Sequence, residues 1–177
     1  MRYALMALGL LAAASVRGQD STGFHPMVVA TTGVAAPAGP LAAETRVAPT
    51  IYVGLAFHHG RSRTSFEIGQ SFTTFSTGGD QHASISVTAV TITRVIPIAT
   101  KLEAYVALGL GQSWASGSAV DARILPNASH FGVATLAGTG LRLGGRVGGL
   151  LAIQYMGLVH SGTVLQVIPV QLGVSLR

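Results

Sequence analysis

Leu102-Glu-Ala-Tyr-Val-Ala-Leu-Gly-Leu-Gly-Gln-Ser-Trp114 decides how the chain is to be read. Its even positions, Leu102, Ala104, Val106, Leu108, Leu110, Gln112 and Trp114, are mostly apolar and close on an aromatic. Its odd positions, Glu103, Tyr105, Ala107, Gly109, Gly111 and Ser113, are small or polar. A period of two is the mark of a strand whose two faces meet different surroundings. A tilted strand crosses a bilayer's hydrocarbon core in about 9–11 residues, and this stretch is long enough to do so. If the greasy face meets lipid, the chain is a transmembrane β-barrel.

Composition points the same way. The 177 residues make one domain's worth of chain. Only 10% of them are charged, where a surface facing water all round carries about 25–35%. Beyond the N-terminus no apolar run reaches the roughly 20 residues of a membrane helix. Backbone groups in lipid must be paired within the protein, so the closed barrel is the other spanning solution. The formal charge of +5 comes from residues scattered singly, with no basic run of the kind that binds nucleic acid. The absence of cysteine removes disulfide frameworks and thiolate metal sites.

The first 18 residues read as a secretory signal peptide: Met1-Arg2 is basic, residues 3–16 are apolar, and Val16 and Gly18 are small enough for a cleavage site. Residues 19–177 are then the barrel domain, and loss of Arg2 and Arg17 leaves nine Lys/Arg against six Asp/Glu. No lipobox cysteine is present. Eight strand-like stretches follow, at 23–32, 45–58, 63–75, 83–96, 102–114, 130–143, 146–160 and 163–177. Short connectors (Gly60-Arg61, Pro97–Thr100, Gly144-Gly145) alternate with longer ones (Gly33–Glu44, Gly78–His82, Ala115–Ser129), and a brief Ser161-Gly162 comes last. Short periplasmic turns and long extracellular loops are the outer-membrane pattern. The fold class expected is therefore all-β, an eight-stranded antiparallel up-and-down transmembrane barrel. Loops 33–44 and 115–129 would be the parts that meet an extracellular ligand.

The charges test that reading. Lipid faces chosen by apolar residues run Val47–Phe57, Phe66–Thr74, Val147–Val159 and Val164–Leu176 in steps of two. Arg46, Arg63, Glu67, Arg94, Glu103, Arg142, Arg146 and Arg177 then point inward, and only Lys101, at a turn, shares the lipid parity. A soluble barrel shows the inverse rule, and a basic side chain facing lipid at mid-membrane costs about 2–4 kcal/mol. Hairpin counting sets Arg94 opposite Glu103, Glu103 opposite Arg142, Arg142 opposite Arg146, Arg146 level with Arg177, and His58 opposite Arg63. A periplasmic ring is expected from Arg63, Glu67, Arg94, Glu103, Arg142, Arg146 and Arg177. Such a ring either satisfies its own charges inside a narrow barrel or forms an anion-preferring constriction. Inward glycines, Gly54, Gly69, Gly109, Gly111, Gly138 and Gly140 among them, leave room for Tyr52, Tyr105, Gln154 and the arginines. Phe72, Trp114 and Phe131 would form an outer aromatic girdle, and Phe57 and Phe66 a periplasmic one.

The closing segment Ile168-Pro-Val-Gln-Leu-Gly-Val-Ser-Leu-Arg177 resembles the last strand that small outer-membrane barrels of the OmpA/OmpX type present to the barrel-insertion machinery. It ends in Leu-Arg where that family carries an aromatic. From about Gly23 to Arg177 the chain is similar to this family in architecture. The resemblance implies the bacterial outer membrane as location and its lipids as surroundings. It implies no single activity, since the family holds structural barrels, adhesins, narrow channels and lipid-modifying enzymes.

Some of these barrels are lipid-A deacylases with a His-x-Ser pair and a glutamate on the outer wall. His82-Ala83-Ser84 has the spacing, but hairpin parity turns it inward or into a loop, away from Glu67 and Glu103. A nucleophile needs its base within hydrogen-bond reach, so no catalytic residue is expected. His58-His59 points to opposite faces and makes no metal site. The other histidines fall near strand ends, as polar rim. Asn127-Ala128-Ser129 matches a glycosylation sequon by chance. No cofactor is expected.

Overall fold

A computed structural model describes residues 23–59, 62–77, 80–125 and 128–177, without the side chains of Phe24, His59 and Ala122. The signal-peptide reading of 1–18, the Gly60-Arg61 turn and Asn127 lie outside the described residues. The strands are β1 (Phe24–Ala38), β2 (Ala48–His59), β3 (Thr64–Ser76), β4 (His82–Ala99), β5 (Leu102–Ser116), β6 (Phe131–Leu143), β7 (Val147–His160) and β8 (Thr163–Leu176). Each pairs antiparallel with its sequence neighbours, and β1 pairs with β8 to close the barrel. The expected architecture is present.

The registers make the closure quantitative. Stepping from Val28 through Leu55, Ile68, Val90, Leu110, Thr135, Gly157 and Gln166 returns to β1 at Ala38, ten residues further along. A stagger of that size over eight strands needs a strand tilt of roughly 35–45°. Such a barrel is just wide enough for side chains to fill.

Three element boundaries differ from the sequence reading by three residues or more, the third being the start of β2 at Ala48 rather than at 45. β1 runs on through Gly33–Ala38, where a loop was expected, because Val34, Ala36 and Ala38 pair with Val170, Ile168 and Gln166 of β8. The remaining connector carries a short helix, α1 (Pro40–Glu44), whose Leu41 is fully buried. β4 runs on to Ala99, with a register shift between Pro97 and Ala99. The 117–130 connector holds a π-helical turn, Val120–Ile124. Both of these longer connectors fold onto the barrel mouth.

The interior has two halves. Toward the rim of the long connectors it is an apolar plug of Phe75, Ile85, Val87, Leu158, Leu165 and Val167, capped by Leu41, Val120 and Leu125 from the connectors. Toward the rim of the short turns Met27, Val29, Tyr52 and Ala56 form a smaller cluster, and the polar side chains gather around it. Outside, Ile51, Phe66, Ile68, Val90, Leu108, Leu110, Val133, Ile153 and Leu172 stand exposed. That is greasy outside with Glu67, Glu103 and Arg142 inside, the order a bilayer requires.

Candidate functional site

The site begins with a register that the sequence predicts correctly: Glu103 on β5 is the direct cross-strand partner of Arg142 on β6. Their side chains meet inside the barrel, with Arg142 Nε and Nη2 donating to Glu103 Oε2 at 2.8 and 2.7 Å. Arg177 approaches the same oxygen less closely, its Nη2 lying 3.6 Å away. The third arm of Arg142, Nη1, finds only the thioether of Met27 at 3.6 Å, a weak acceptor. One carboxylate oxygen therefore serves two guanidiniums. Burial depresses the pKa of Arg177, Arg142 pushes the same way, and Glu103 pulls it back up.

Glu67 sits deeper and forms no ion pair among the described residues. It accepts the Tyr52 hydroxyl, and Gly54 and Gly69 leave the space that the Tyr52 ring occupies. Arg142, Tyr105, Gln154 and Gln171 line the same interior pocket of ≈ 50 Å³. Thr31 Oγ1, Gln154 Oε1 and Gln171 Nε2 are buried without a protein partner. These polar groups suit water, which needs about 10–15 Å³ and 2–4 partners per molecule.

Two members of the expected ring lie elsewhere, and a third, Arg63, stands at its exposed edge. Arg94 is on the outer wall, where Nη1 donates to Thr64 Oγ1 at 2.9 Å, and its cross-strand partner is Val106, not Glu103. The cause is the apolar plug. It takes Ala83, Ile85, Val87 and Ala89 of β4 inward and leaves Ser84, Ser86, Thr88 and Arg94 outside. Val90, Ile92, Ile96 and Ile98 also stand outside, so apolar residues lie on both faces of β4 and hydropathy alone does not fix its parity. Arg146 lies in the β6–β7 turn, where its carbonyl accepts the Arg177 N–H at 3.0 Å. The residue beside Arg142 is Leu150. Arg63 is exposed at the rim, and His58 pairs with Ser65 rather than with Arg63. Arg46 is likewise exposed, in the connector before β2.

A second cavity of ≈ 330 Å³ opens at the short-turn rim, with Arg63, Arg142, Arg177, Glu103, His58 and Pro97 in its wall. Arg142, Met27 and Ser65 line both it and the interior pocket. Beyond the pocket, the plug fills the lumen.

The girdle aromatics carry the outward parity of their strands. Phe66, Phe72, Trp114 and Phe131 are exposed, Phe57 faces Phe66 across β2–β3, and Trp114 faces Phe131 across β5–β6. His130 stacks edge-on to Trp114 and meets Asp121 at 2.7 Å.

The histidines bring two corrections. His82 and Ser84 face outward, not inward, but Ser84 Oγ bonds Thr74 Oγ1 at 3.1 Å. No hydrogen bond joins the pair to each other or to a carboxylate among the described residues. His160, expected as rim, is fully buried. Its Nδ1 lies 3.1 Å from the Ser129 carbonyl oxygen and its Nε2 2.9 Å from Ser113 Oγ. A neutral ring satisfies both, donating from Nδ1 to Ser129 and accepting the Ser113 hydroxyl at Nε2. His160 thus ties the 117–130 connector to the barrel wall. Its even spacing from Gln154, Met156 and Leu158 is the signal that places it inward. Among the described residues no cluster of three or more His, Cys, Asp or Glu could hold a metal.

No protein-family model matches the chain, and no curated protein matches its sequence. Solved structures do match. Neisserial surface protein A (NspA) is similar at a TM-score of 0.69 and 12% identity, over 88% of this chain and 99% of that one. The outer membrane enzyme PagL is similar at a TM-score of 0.57 and 15% identity, over 85% of this chain and 99% of that one. The fold is that of the small outer-membrane barrels. One neighbour is named as a surface protein and the other as an enzyme, so this shared architecture does not itself carry an activity.

Proposed function

We propose that the protein is a bacterial outer-membrane barrel that works through its outer connectors, with a lumen that does not conduct. The observation that carries this is the apolar plug, in which Phe75, Leu125, Leu158 and Leu165 are essentially inaccessible to solvent. Ions crossing there would have to leave water and meet hydrocarbon side chains, at a cost no nearby charge offsets. The Glu103–Arg142 pair holds the opposite end of the lumen together. The exposed apolar belt supports lipid as the surrounding medium, since a soluble carrier would turn that surface inward.

The surface left for a partner outside the cell is narrower than the two full loops. It comprises the exposed rim around Glu44 and Arg123, which lie 3.8 Å apart, and around Asp121 and His130. Leu41, Val120 and Leu125 are committed to the plug. Outer-membrane lipids and, during biogenesis, the barrel-insertion machinery complete the expected partners.

The test is conductance in a planar bilayer. The purified barrel is expected to give no steady current in molar salt, while running as a heat-modifiable, membrane-extracted band. Steady current that changes on replacing Arg142 would instead support the second reading, a narrow anion-selective pore. A stable monomer released without detergent would support a lipocalin-like carrier.

A further inference from the structure

We propose that the cup at the short-turn rim is a binding site for a small oxyanion, a carboxylate or a phosphate, held by Arg63, Arg142 and Arg177. The cavity of ≈ 330 Å³ contains three guanidiniums in its wall and, among the described residues, one acidic side chain, Glu103. That carboxylate is spent on Arg142 through one oxygen, leaving Arg177 at 3.6 Å and Arg63 without an ion pair among the described residues. Arg142 forms the floor, its side chain only 11% exposed. Its Nη1 can offer donors to the cavity because its neighbour there is the Met27 thioether.

Arginine is the side chain suited to such a ligand. Its planar fork matches the paired oxygens of a carboxylate or phosphate, and hydrogen bonds between charged partners are about twice as strong as neutral ones. Arg142 and Arg177 share one oxygen of one carboxylate, so two guanidiniums stand against a single negative charge and a second anion adds to the charge they face. Ser62 and Ser65 border the same wall. The interior pocket above cannot take the ligand, being ≈ 50 Å³ and lined by the Glu67 carboxylate. The ligand therefore stops at Arg142 and enters from the rim that bears the start of β1 and the end of β8.

In the orientation of the proposed function this rim faces the periplasm. The oxyanion is then either free phosphate or the terminal carboxylate of a periplasmic peptide or polymer. The chemistry of the cup does not depend on that orientation.

The experiment uses the folded full-length barrel in lipid nanodiscs, titrated separately with inorganic phosphate and with a short peptide bearing a free C-terminal carboxylate. Saturable binding to at least one is expected, weakening as salt rises. Arg63→Gln/Arg177→Gln should lower the affinity at least tenfold while leaving heat modifiability intact, since both side chains lie at the open end. Arg94→Gln, on the outer wall, should leave binding unchanged. Preference for phosphate assigns the site to a soluble anion, and preference for the peptide to a carboxylate-terminated chain. The proposal is overturned if neither probe saturates, if the amidated peptide binds as well as the free acid, or if Arg94→Gln weakens binding as much as the double variant.

Discussion

Replacing Glu103 by alanine leaves the Arg142 guanidinium with no carboxylate, at the floor of a cup that water can enter. A wholly dry pair would cost about 3–5 kcal/mol to break in this way. Glu103 is 26% exposed, so the expected loss is smaller, about 1–3 kcal/mol, read as the shift in a denaturant midpoint in lipid vesicles. Arg94→Leu should act in the other direction. It removes a charge from the lipid-facing wall at the level of Thr64, the first residue of β3, and is expected to stabilise by up to about 1 kcal/mol in the same assay, as befits a site near the bilayer edge. A loss of several kcal/mol would mean that Arg94 has an inward partner.

At the scale of the strand, β4 is the informative element because its two faces are close to exchangeable in hydropathy. Ile85→Ala should cost about 2–5 kcal/mol, as a truncation in a packed core. Ser86→Val, one residue on, should stay within about 1 kcal/mol of the parent. Equilibrium unfolding of the two variants checks the parity, and the reverse ranking would turn β4 over. This is also where the sequence stops being legible. β5 and β6 declare their faces because one side holds Leu108, Leu110, Val133 and Leu141 and the other glycines and the Glu103–Arg142 pair. On β4 the plug needs Ile85 and Val87 inside, so an apolar residue no longer means a lipid contact. The β1 extension was hidden for a related reason. Ala35–Pro40 looks like a loop by composition, yet Pro37 sits paired opposite Val167, and only that pairing reveals it as strand. His160 was obscured by its place at the end of β7, which suggests a rim until the 117–130 connector folds over it.

At the scale of the whole molecule, the strand count, the closure and the greasy exterior were all readable, because each repeats around the barrel and no single residue decides it. The allocation of the lumen into plug, pocket and cup was not, since it depends on how two connectors fold back over the mouth. The pairing of β1 with β8 carries a last consequence. The seam that closes the ring has the same antiparallel geometry as the other seven, and both of its strands terminate on one rim. The order in which the ribbons are synthesised is therefore separable from the shape they make. A polypeptide joined across that rim by a flexible tether and reopened at Ser161-Gly162 should reach the same cylinder, by a different assembly route.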